Sequence, residues 1–193
     1  MRTVRSWVAL GSLLGLSQAV WAVDVPFFGA LSATDPTYNR TLSGSPPVGL
    51  SGAGTAVSYD LLPFYVTLND TYLAETLSAT LSPGTADDTF IAVYQTAFNP
   101  LTPLVNVVVA DDDAGVGNLS LATKALTAGT QYYLVVTSFS NGAFGSYTGH
   151  LNSSTGLGQV VLGAVPELPT SAMMLLSLGM AGALLRSHRQ RQA

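Results

Sequence analysis

Three consecutive aspartates, Asp111, Asp112 and Asp113, form the densest group of metal-ligating side chains, and Asp87 and Asp88 stand ahead of an earlier apolar run. Ca²⁺ takes about six to eight oxygen ligands, which clustered carboxylates and loop carbonyls supply. The triplet therefore makes Asp111, Asp112 and Asp113 candidate calcium ligands. It lacks the alternate acids and closing Glu of an EF-hand loop. Successive strand side chains face opposite ways, so the three reach one ion only where the chain bends. The competing role is structural, with each Asp accepting from turn backbone and keeping the surface solvated.

Catalysis has little to work with. Between Val23 and Pro169 the sole histidine is His150 and the sole glutamate outside the C-terminal motif is Glu75. No Gly-x-Ser-x-Gly elbow is present. The chain has no cysteine, which removes thiol nucleophiles, Cys-based zinc sites and disulfides. A small secreted hydrolase would have to use His150 or the aspartates, and the expectation is a protein that is not an enzyme. Carbohydrate stacking is a second candidate chemistry, with Tyr65, Tyr133, Phe139 and Phe144 as its rings. Both tryptophans, Trp7 and Trp21, lie near the N-terminus and leave the central region without the largest stacking surface.

These residues belong to a β pattern. Residues 23–55 are rich in Gly, Ser, Thr and Pro and read as an extended lead-in with a loop at Ser45-Pro46-Pro47. Short runs bounded by turn residues follow at Ala56–Thr67, Tyr72–Leu81, Phe90–Tyr94, Leu104–Ala110, Leu119–Ala125, Gln131–Phe139 and Ser146–Leu151. In the second run the apolar alternation passes through Leu73, Leu77, Ala79 and Leu81. The β-branched and aromatic enrichment, without helical periodicity, argues an all-β antiparallel sandwich or barrel over residues 23–152. Gly129 marks a turn that needs positive φ. Residues 153–164 read as a tether.

The two ends carry different signals. Arg2 and Arg5, the apolar run Trp7–Leu16, and Val20 and Ala22 at positions −3 and −1 describe a cleavable signal peptide over residues 1–22. At the other end, Val165-Pro166-Glu167-Leu168-Pro169-Thr170 precedes fifteen uncharged residues, Ser171–Leu185, and then Arg186, Arg189 and Arg191. As a helix the run spans about 22 Å, short of the roughly 30 Å hydrocarbon core. The arginines hold that end on the cytoplasmic side. Between Val23 and Pro169 eleven acids face two cations, Arg40 and Lys124, a net charge of −9. Nucleic acid is therefore excluded as a partner.

This end resembles the PEP-CTERM sorting signal of exported bacterial proteins. Val165, Pro166 and Glu167 carry the likeness, with Thr170, Ala172, Met173, Met174, Leu175, Leu176 and the arginines; Leu168 stands where the family usually has proline before Pro169. The resemblance implies that Val165, Pro166, Glu167, Pro169 and Thr170 are read by an exosortase-type protease. A chain held transiently in the inner membrane of a Gram-negative bacterium would then be released to the surface or the exopolysaccharide matrix of a biofilm. An uncleaved tail anchor is the alternative.

A second resemblance covers Tyr59–Leu151, to the bacterial pre-peptidase C-terminal domains. It is carried by Asp88-Thr89-Phe90-Ile91-Ala92-Val93-Tyr94, Phe98-Asn99-Pro100, Pro103-Leu104, Ala110-Asp111-Asp112-Asp113-Ala114-Gly115, Leu126–Val136 and Gly145-Ser146-Tyr147-Thr148. It implies a jelly-roll-like β-sandwich acting as a binding or spacer module, with calcium or an extracellular polysaccharide as candidate ligands.

Overall fold

The computed structural model describes residues 24–164. The expected signal peptide (1–22, with Val20 and Ala22), the expected sorting motif with Val165, Pro166, Glu167, Pro169 and Thr170, the apolar run 171–185 and the terminal arginines lie outside the described residues.

Ten strands form among the described residues: β1 (Asp24–Leu31), β2 (Thr37–Tyr38), β3 (Val57–Val66), β4 (Asp70–Ala79), β5 (Thr89–Gln95), β6 (Val107–Asp111), β7 (Leu121–Leu126), β8 (Tyr132–Ser138), β9 (Gly145–Ser153) and β10 (Val160–Leu162). One sheet has the order β1-β9-β4-β7 and the other β10-β3-β8-β5-β6, with β2 attached to β3. Every pairing is antiparallel. No helix occurs among the described residues, so none there is long and apolar enough to cross a membrane. The seven runs read from the sequence coincide with β3–β9 to within three residues at each end.

The main core lies between the sheets. Phe27, Tyr72, Ala74, Tyr147 and Leu151 of the first sheet meet Phe64, Val66, Ile91, Val93, Leu134 and Val136 of the second. A large side chain taken wholly out of water there contributes about 1.5–3 kcal/mol. A second cluster lies on the outer face of the second sheet, where Phe90, Ala92, Tyr94, Val135 and Val57 gather with Tyr38. Six of the seven β5 residues are buried because both of its faces are covered. This is why it reads as a continuous apolar run rather than an alternation.

That second cluster exists because the described part of the expected lead-in, residues 24–55, is built into the fold. β1 pairs along its whole length with β9. Beyond β2, Arg40 and Thr41 are buried, Thr41 bridges Leu50 and Gly44 bridges Ala110. The tether is also corrected: β9 continues to Ser153, and β10 pairs Val160–Leu162 with Phe64–Val66. Both stretches owe their order to long-range pairing that Gly- and Ser-rich composition conceals.

The alternation read from the sequence is one residue out of phase at Leu73 and Leu77 and in phase at Ala79 and Leu81. Tyr72, Ala74 and Thr76 face inward, and a register shift between Thr76 and Ser78 leaves Leu77 half exposed and returns Leu81 to the core. A β-bulge of this kind adds one unpaired residue and swaps the faces beyond it. Gly129 has φ +69°, the conformation its turn demands.

Candidate functional site

Asp111, Asp112 and Asp113 do not act together. Asp111 closes β6, and its Oδ2 accepts from the backbone N–H of Ala114 at 3.0 Å and of Leu121 at 2.8 Å. It ties its own turn to the start of β7, the structural role that Asx chemistry offers. Asp112 and Asp113, past the end of the strand, turn instead toward Asp88, just before β5. One carboxylate oxygen from each of Asp88, Asp112 and Asp113 lies within 4.8 Å of the others. The sequence triplet is therefore replaced by a spatial one in which Asp88 takes the place of Asp111. Asp87 points elsewhere, accepting from the Asn118 backbone and side chain at 3.3 Å. The Asn118 N–H holds the Asp87 carboxyl below its usual range.

Behind these acids lies a buried cation that sequence reasoning passed over. Arg40 is 2% exposed. Its guanidinium sits 4.2 Å from the ring centre of Phe90 and 4.3 Å from that of Phe139. Nε donates to the Phe139 carbonyl at 2.9 Å and Nη1 to the Thr41 carbonyl at 3.1 Å. A planar guanidinium can stack and donate in its plane at once, which an ammonium cannot. The available signal was that Arg40 is one of only two cations in the central region.

The electrostatics are unbalanced. Burial, then the neighbouring Asp113, raises the Asp88 carboxyl, and Arg40 opposes both. Asp112 is pushed up to about 6, chiefly by burial; Arg40 lowers it, and Asp113, Asp88 and Asp111 raise it further. Burial lowers Arg40, and Asp112 is the strongest of the carboxylates that support its charge. Oδ1 of Asp112 is buried and has no protein hydrogen-bond partner. Three carboxylates around one arginine leave an excess of negative charge. They present hard oxygen donors suited to Ca²⁺ or Mg²⁺ rather than to metals preferring nitrogen or sulfur.

His150 lies within β9, not at a strand end. Its Nδ1 is 3.3 Å from Asp24 of β1 and its Nε2 is 3.1 Å from Glu75 of β4. Both ring nitrogens are thus engaged by carboxylates, and the imidazole cross-ties three neighbouring strands.

The candidate stacking rings separate. Phe139 covers Arg40, and Phe144 is half-buried where its residue bridges Ser82. Tyr65 and Tyr133 remain on the outer face of the second sheet, both half-buried. Comparison of the chain with protein-family models and with curated proteins finds no match.

Proposed function

We propose that this chain is a non-catalytic exported protein of the cell envelope or extracellular matrix. A signal peptide (1–22) would deliver it, and the apolar run 171–185 would hold it briefly in the inner membrane. An exosortase-type protease would then process it at the PEP-CTERM motif. In this reading the central region is a jelly-roll-like sandwich that functions at the cell surface or in an exopolysaccharide-rich biofilm matrix. The observation that carries the proposal is the order at the C-terminus: polar motif, apolar run, arginines. A net charge of −9 between Val23 and Pro169 suits a solvated surface protein. In this reading His150 is a structural residue, with its two ring nitrogens facing Asp24 and Glu75 of the neighbouring strands. The test is intact mass of the protein from its native host, in membrane and extracellular fractions. A released species lacking residues 1–22 and the segment after Pro166 is expected; a membrane species ending at Ala193 would refute processing.

A second reading, a calcium-dependent adhesion module, is favoured by one observation. Asp88, Asp112 and Asp113 converge while Oδ1 of Asp112 lies buried without a partner. Those three residues would hold the cation, which would offset their charge and tie the loop after β6 to the start of β5. Calorimetry with millimolar Ca²⁺ tests this, and an absence of heat together with an unchanged melting temperature would exclude it.

A further inference from the structure

The outer face of the second sheet is covered over only part of its area. Along β3 the outward residues are Tyr59, Leu61, Pro63 and Tyr65, because Phe64 and Val66 point into the main core. Pro63 pairs directly with Tyr133 on β8, and Tyr65 pairs with Val161 on β10. Tyr65 is therefore a diagonal neighbour of Tyr133, a separation of roughly 7–8 Å that long aromatic side chains bridge. Tyr59 closes one end of the strip, held edge-on against Tyr38 at 5.3 Å and Phe98 at 5.1 Å. The neighbouring outward residues Val135, Ala92 and Tyr94 are sealed beneath other parts of the chain. What stays accessible is a row of six side chains, Tyr59, Leu61, Pro63, Tyr65, Tyr133 and Val161.

We infer that this strip, centred on Tyr65 and Tyr133, binds the pyranose rings of a neutral polysaccharide. Each tyrosine presents an apolar ring face and a polar tip, which match the C–H face and the rim hydroxyls of a sugar ring. None of the six side chains in the strip is charged, and the surrounding region carries a net charge of −9. Anionic polysaccharides and acidic peptides are repelled from it. The limited exposure of the strip weighs against a second protein molecule. Five of the six side chains are already half-buried, whereas a stable protein interface takes about 800 Å² from each partner. Narrow, flat ring ligands need far less. Tyr59 is fixed by its ring contacts and the backbone beneath Tyr65 and Tyr133 by strand pairing, so little conformational freedom is lost on binding. Binding at the strip does not depend on the C-terminal motif, so its failure and that of the processing proposal are distinguishable.

The experiment is affinity electrophoresis of the full chain in mild detergent, through gels containing dextran, hydroxyethylcellulose or galactomannan, with alginate as the anionic comparison. Retardation by at least one neutral polymer and none by alginate is expected. Tyr65→Ala and Tyr133→Ala should each weaken it about tenfold or more, while Tyr133→Phe, which keeps the ring, should retain most of it. Near-ultraviolet circular dichroism would establish that the variants are folded. Retardation by none of the neutral polymers, by alginate alone, or equally for folded Tyr→Ala variants would overturn the inference. So would a concentration-dependent dimer abolished by Tyr133→Ala, which would assign the strip to a second copy.

Discussion

Replacing Asp112 by Asn should stabilise this protein near neutral pH and do nothing at about pH 4. The folded protein holds the Asp112 carboxyl at about 6, against a usual value of 3.8. Between those values the folded state binds more protons than the unfolded one, so stability falls as pH rises through the window. The penalty is absent below the lower value and fully present above the upper. Unscreened, the gap corresponds to about 3 kcal/mol. Asp112 is only half-buried, and solvent screening reduces this to about 1 kcal/mol. Asn keeps the shape and cannot ionise, so it escapes the penalty. Urea unfolding of both proteins should show a midpoint advantage for Asp112→Asn at about pH 7.5 that vanishes near pH 4. Added Ca²⁺ should raise the wild-type midpoint, by about 1.4 kcal/mol at ten times its dissociation constant, and raise that of Asp112→Asn far less. A variant no more stable than wild type at neutral pH would refute the reasoning, because Arg40 would then already neutralise Asp112.

Three further outcomes are expected, two from the same geometry and one from the C-terminal sequence. Arg40→Met should cost about 1–3 kcal/mol in denaturant unfolding, because it removes two ring contacts and the hydrogen bonds to the Phe139 and Thr41 carbonyls; Arg40→Lys should not restore the loss. Asp111→Ala should destabilise by about 1–3 kcal/mol by freeing the Ala114 and Leu121 N–H groups, with any Ca²⁺ response intact, so calorimetry separates it from Asp112 and Asp113. Replacing Arg186, Arg189 and Arg191 together by Glu should impair membrane retention and processing, and unchanged processing by mass spectrometry would remove the positive-inside argument.

The legible parts of the fold were those set by neighbours along the chain. β3 to β9 announced themselves through local runs of β-branched and aromatic residues between turns, and Gly129 through the turn it closes. β1 and β10 did not, because their order comes from partners far away: Asp24–Leu31 against Gly145–Asn152, and Val160–Leu162 against Phe64–Val66. The β4 phase held at Ala79 and Leu81 and failed at Leu73 and Leu77, because one bulge at Leu77 exchanges the two faces and nothing in Glu75-Thr76-Leu77-Ser78 signals an extra residue. β8 lies inside the run Gln131–Phe139, and the folded chain covers most of both its faces.

The candidate site divides in the same way. The sequence by itself determined that oxygen ligands are plentiful, that cysteine chemistry is absent, and that cations in the central region are few. It also placed the acids at strand ends, where a carboxylate can turn toward another element. Only the tertiary structure decided which acids meet. The end of β6 gives Asp111 to its own turn and sends Asp112 and Asp113 across to Asp88, beside an arginine stacked between two rings. Composition and spacing act along one dimension and fix which groups exist and how each strand alternates. Convergence of carboxylates separated by more than twenty residues depends on how two sheets and a covering segment pack, a property of the whole core rather than of any window of the chain.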